Sequence, residues 1–265
     1  MNIWLRELDE ALRGRKADPR LLAEGTAHIR IAPLVVVSVA LGMIYGVCMG
    51  LYVIATRTPP SFAQLAASAV KVPALFFLTL AVTFPSLYVF SALLGVRLGP
   101  KDTFRLILVP IVVNLAVLAS LGPITGFFTL STTSYPFMKL LNVFFFTVAG
   151  IIGLKVLLAM LSSIEAAQSP TAAAAPEPGS PTEVQNAATQ AIAAKPLPRS
   201  MLRDRTVAST TFLVWVVIYA LVGAQMGWIL RPFIGSPNLS FQLFRGREAN
   251  FFIDVLRTLG QLLGQ

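Results

Sequence analysis

The chain alternates between long apolar runs and short polar connections. Five runs, 31–56, 72–96, 106–130, 137–161 and 207–230, carry no charge except Lys139 and Lys155. At about 1.5 Å per helical residue, each is long enough to cross roughly 30 Å of hydrocarbon. None alternates with period two, and each is far longer than a barrel strand. Lipid offers no hydrogen bonds to a backbone, so the runs predict α-helices. The expected fold is an all-α polytopic membrane protein, a bundle of about five transmembrane helices.

Both ends predict amphipathic helices. Near the start, Trp4, Leu5, Leu8, Ala11 and Leu12 share a face opposite Arg6, Glu7, Asp9, Glu10 and Arg13. Near the end, Asn250 is a candidate cap for a helix with Phe252, Val255, Leu256, Leu259 and Leu263 on one side. Asp254, Arg257 and Gln261 take the other side. Neither helix is long enough to span, so each is expected to lie in the interface or to pack on a partner.

Residues 162–206 read differently. The stretch is rich in Ala, Pro, Ser and Thr, and it has no aromatic residue. Such a composition buries too little surface to offset its ordering entropy, which predicts a disordered linker. The expected organisation is an amphipathic segment over 1–30, a four-helix unit over 31–161, that linker, a fifth helix over 207–230 and an interfacial segment over 231–265.

Composition agrees with the runs. The chain is 55% apolar and 12% charged, whereas soluble domains are about 25% charged. Half the usual charge suits a surface that largely faces lipid. The net charge of +9 comes from short clusters between apolar runs, a membrane topology rather than a nucleic-acid patch. Thirteen Lys and Arg residues fall on the side of the N-terminus and six on the other. That bias predicts a cytoplasmic N-terminus and a C-terminus across the membrane, consistent with a bacterial inner membrane. The first 30 residues lack the apolar core of a cleaved signal, so the first run is expected to act as an uncleaved anchor.

Few residues carry candidate chemistry. In the first run Ser38, Gly42, Gly46 and Gly50 recur every four residues and line one stripe. Small residues let another helix approach closely, either a neighbour in this chain, a second copy or another membrane protein. Pro73, Pro85, Pro110 and Pro123 favour kinks or helix ends. All 12 acidic residues lie outside the five runs. Asn114, Lys155 and Gln225 are the polar side chains to examine within them, as interhelical hydrogen-bonders, a snorkelling cation or an ion path. After the fifth run, Trp228, Arg231, Phe241, Phe244, Arg245 and Arg247 suit an interface anchor or a surface for lipid or a partner. One histidine, His28, and one cysteine, Cys48, cannot build a zinc site. No nucleotide loop is present, and no cofactor or metal is expected.

The four clustered runs, with the tract from Lys71-Val-Pro-Ala-Leu to Phe84-Pro-Ser-Leu-Tyr-Val-Phe, resemble bacterial Yip1-like membrane proteins. The resemblance implies a scaffold or trafficking-related factor rather than an enzyme, and it assigns no functional residue. The leading expectation is a non-enzymatic membrane scaffold or accessory subunit that holds membrane lipids and another membrane protein, or itself. A solute or lipid transport component is the alternative, and an intramembrane lipid-modifying enzyme a third.

Overall fold

The computed structural model describes residues 3–15, 29–56, 58–93, 100–167, 199–235, 241–244 and 250–264. The described residues form helices and no strand. In order they are α1 (Ile3–Leu12), α2 (Ile31–Thr56), α3 (Phe62–Leu93), α4 (Pro100–Ser131), α5 (Tyr135–Ala167), α6 (Arg199–Ile229) and α7 (Phe251–Leu262). Helices α2 to α5 are long and apolar enough to cross a membrane. In α6, which has 31 residues, the apolar part runs over Val214–Ile229. The protein is a helical polytopic membrane protein.

Helix α2 has the predicted bounds, but the others overrun theirs. Helix α3 starts at Phe62 rather than 72, α4 at Pro100 rather than 106, and α6 at Arg199 rather than 207. Helix α5 continues to Ala167 instead of ending at 161. Apolarity marks the lipid zone, whereas helical hydrogen bonding continues past it wherever polar residues find partners. The expected linker therefore loses 162–167 and 199–206 to helices, and its remainder, 168–198, lies outside the described residues, as does His28. All four prolines sit inside continuous helices rather than ending them.

Helix α2 is the centre of the bundle. It packs along both α3 and α4; α5 packs on α4, and α6 packs on α3. Helix α1 rests on α2 and α4, and α7 bridges α5 and α6. Tyr45, Tyr52, Leu108, Leu115, Leu118 and Met138 are fully buried in the core. Two tyrosines tie α2 across the bundle. Tyr45 Oη donates to Asn142 Oδ1 on α5 at 2.7 Å, and Tyr52 Oη donates to the Thr133 carbonyl at 2.6 Å.

The small-residue stripe is where α3 lies against α2. A Cβ on Gly42 would be 3.0 Å from Pro73 Cβ, and one on Gly50 would be 2.9 Å from Leu65 Cα. At Gly46 it would be 2.5 Å from the Ser68 carbonyl oxygen and 2.7 Å from Ala69 Cα. The obstacles at Gly46 are backbone atoms, so no rotamer change relieves them. Ser38 is buried as well. Packing within the chain occupies the glycine stripe, which is not open to a partner.

Helix α7 turns its apolar face outward, whereas that of α1 is divided, with Leu8 and Ala11 against the bundle. In α7, Asn250 caps as predicted, accepting from Ile253 N at 3.0 Å. Phe252, Leu256, Leu259 and Leu263 are exposed, while Thr258 is buried. In α1, Glu7 and Ala11 are buried and Trp4, Leu5 and Leu12 are exposed.

Gly46→Leu is expected to lower stability by about 1–3 kcal/mol through overpacking, read as a lower melting temperature of the purified protein. Gly126→Ala, whose Cβ would meet nothing within 4 Å, should cause no such loss. An unchanged melting temperature for Gly46→Leu would refute the close contact.

Candidate functional site

Because α6 leans on α3 while α5 leans on α4, the two helices stand apart. Between them lies a cavity of about 840 Å³. Helices α3 and α4 supply its back wall, and α7 with residues 231–234 closes across the end where α6 finishes. The lining is mainly apolar, with Phe76 and Phe146 stacked at 6.1 Å between ring centres. This is the geometry expected of a ligand pocket between helices, and the volume falls within the usual range of about 300–1,000 Å³.

The C-terminal segment is held in place by α3. Gln64, Ser68 and Lys71 line one face of that helix, at 2%, 0% and 4% exposure. Gln64 Nε2 donates to the carbonyls of Pro232 at 3.1 Å and Phe233 at 3.3 Å. Ser68 Oγ bonds the Phe233 carbonyl. Lys71 Nζ donates to the Pro232 carbonyl at 3.1 Å and bonds that of Leu243, with the Phe244 ring 5.3 Å away. Carbonyl dipoles thus stand in for the water that a buried ammonium would lose. Gly235 adopts φ +73, with a would-be Cβ 2.8 Å from Gln64 Cγ, so both its backbone and its neighbour require glycine.

At the rim, α7 is pinned to α5. Lys139 pairs with Asp254 and donates to Thr258 Oγ1 at 3.0 Å. Both charged side chains are only about a quarter exposed, at 24% and 23%, so water screens this pair less than a surface pair. Arg257 also lines the rim. The Arg231 guanidinium lies 3.4 Å from the centre of the Trp228 ring in a cation–π contact.

Several polar atoms on residues of the lining are fully buried, with no surface open to the cavity, and have no hydrogen-bond partner. They are Asn114 Oδ1 on α4 and Trp215 Nε1, Tyr219 Oη and Trp228 Nε1 on α6. Asn114, Trp215 and Trp228 are 8%, 2% and 6% exposed. A Cβ on Gly153 would run into Asn114 Oδ1 and lie 2.6 Å from Asn114 Cγ, so the Asn114 amide packs against the α5 backbone at Gly153.

The three polar candidates from the runs do not converge. Asn114 lines the cavity, Lys155 is exposed elsewhere on α5, and Gln225 is half-buried on α6 outside the lining. With α5 running to Ala167, Lys155 lies about 18 Å from that end, twice the distance expected from the apolar run. Trp228 and Arg231 form cavity wall rather than an exposed anchor. Phe241 and Phe244 are exposed, and Arg245 and Arg247 lie outside the described residues. Sequence reasoning missed Lys71, Lys139, Asp254, Trp215 and Tyr219. The spacing of Gln64, Ser68 and Lys71 on one helical face was a readable signal for the first. Among the described residues no cluster of three His, Cys, Asp or Glu side chains is placed to hold a metal. No protein family, curated protein or solved structure matches this chain, so the Yip1-like resemblance rests on layout alone.

Asp254→Ala is expected to loosen α7, raising amide exchange over 251–262 about fivefold, as loss of roughly 1 kcal/mol implies. Unchanged exchange would show that the Lys139 pairing does not hold α7.

Proposed function

We propose that this is a non-enzymatic integral membrane protein whose bundle binds an amphiphilic, lipid-like molecule between α5 and α6, as a carrier or transport component. The cavity carries the reading, a mainly apolar space of about 840 Å³ between two helices of a membrane bundle. An apolar interior with charge confined to the rim favours an amphiphile over a charged solute. The membrane proposed is the bacterial inner membrane, with the N-terminus cytoplasmic and the rim on the opposite side. The excess of basic residues on the N-terminal side supports this, and placing Lys71 inside α3 leaves its sign unchanged.

A scaffold or accessory subunit is the second reading. It is favoured by the exposed Trp4, Leu5 and Leu12 of α1 and by the outward apolar face of α7. The glycine stripe no longer serves it.

Gentle extraction followed by native mass spectrometry separates the two readings. One bound lipid-like molecule per chain is expected, with occupancy falling several-fold in Gly150→Leu. Gly150 lines the cavity, and a Cβ there would meet nothing within 4 Å, so the added side chain fills ligand space without straining the bundle. A stoichiometric protein partner and no bound lipid would favour the scaffold instead.

A further inference from the structure

All the charge on the cavity wall gathers at one end. Among the described residues that line the space, the charged ones are Lys139, Arg231, Asp254 and Arg257. Lys139 stands near the start of α5 and Arg231 just past the end of α6, while Asp254 and Arg257 belong to α7, which packs on both helices. Three basic side chains against one carboxylate leave this end with a net charge of +2. The carboxylate, Asp254, is already held by Lys139. Helix α7 turns all its polarity the same way. Asp254, Arg257, Thr258 and Gln261 line the cavity, whereas Phe252, Leu256 and Leu259 are exposed and lie outside the lining. Farther in, polar side chains are engaged within the protein. Asn142 bonds Tyr45 and the Met138 carbonyl, while Thr79 and Thr147 bond carbonyls of their own helices.

We infer that the cavity takes an amphiphile with an anionic head, seated at the α7 end beside Arg257 and Arg231, with its apolar chain running between α5 and α6. This rests on the amphiphile-binding reading above and adds the charge and the orientation of the ligand. Apolar walls screen charge poorly and focus its field into the space they enclose. Excess positive charge at one end therefore draws an anion there without requiring that every cation touch it. Arginine suits the task, since a guanidinium stays charged and offers several donors to phosphate or carboxylate oxygens. Stacking on Trp228 fixes the Arg231 charge at this end. A cationic group gains nothing comparable. The carboxylate it would need is the one that Lys139 holds. Away from α7, side chains such as Phe76, Ile111, Leu154 and Leu157 offer the chain an apolar bed.

The test offers the full-length protein, in a non-ionic detergent, an equimolar mixture of two lipids with the same palmitoyl chain. Lysophosphatidylglycerol has an anionic head and lysophosphatidylcholine a zwitterionic one. Native mass spectrometry reads the bound ratio, expected to favour the anionic lipid about tenfold, as one hydrogen bond to a charged group implies. Arg257→Glu, at an exposed side chain, should bring the ratio close to parity. Lys101→Glu makes the same change of charge at an exposed residue near the start of α4, outside the lining, and should leave the preference as it was. Gly150→Leu should reduce binding of both lipids alike. Equal binding of the two by the unaltered protein would overturn the anionic head and leave the amphiphile reading standing. A preference that survives Arg257→Glu, or falls as far with Lys101→Glu, would overturn the seat at the α7 end. If neither lipid binds, or both bind Gly150→Leu undiminished, the amphiphile reading itself falls and this inference with it.

Discussion

The architecture depends on the near-contact of two backbones. Helix α3 lies so close to α2 that no side chain fits at Gly46. Within lipid there is little hydrophobic drive between helices, so close dispersion contact and hydrogen bonding must hold them together. Ser68 connects that contact to the cavity. Its carbonyl abuts Gly46, while its hydroxyl bonds the Phe233 carbonyl. The position of α3 against the glycines therefore sets where the chain after α6 is held, and with it one end wall of the cavity.

The bilayer imposes a second constraint, that polar groups find partners inside the protein. Most do, and the solutions explain otherwise odd features. Lys71 is solvated by backbone carbonyls. Asp254 and Thr258 turn inward to Lys139, which leaves the hydrophobic side of α7 facing outward. In water that arrangement would be inside out; at a membrane it seals polar to polar and presents leucines to lipid. Buried polar atoms without a partner remain both on residues of the cavity wall, at Asn114 and Trp215, and away from it, at Ser38 and Arg105.

The spans were legible because apolar run length is a direct image of bilayer thickness. The Asn250 cap was legible too, since capping chemistry is local. Helix ends were not. Gln64, Ser68 and Lys71 read as connection, because their partners lie more than 160 residues away. The site was legible only at Asn114, Trp228 and Arg231. Asp254 and Lys139 carry no mutual signal, being 115 residues apart. Trp215 and Tyr219 look like ordinary membrane aromatics until the fold places them on the wall between α5 and α6. The glycine stripe was visible as a packing surface, but only the fold decides which helix fills it.

The most direct test of the account is an experimental density map of the protein in lipid nanodiscs. The expected result is continuous elongated density between α5 and α6, from the level of Lys139 to that of Asn114. The contrary result is a bundle in which α5 and α6 close on each other, with Asn114, Trp215 and Tyr219 paired to protein groups and no space left between them.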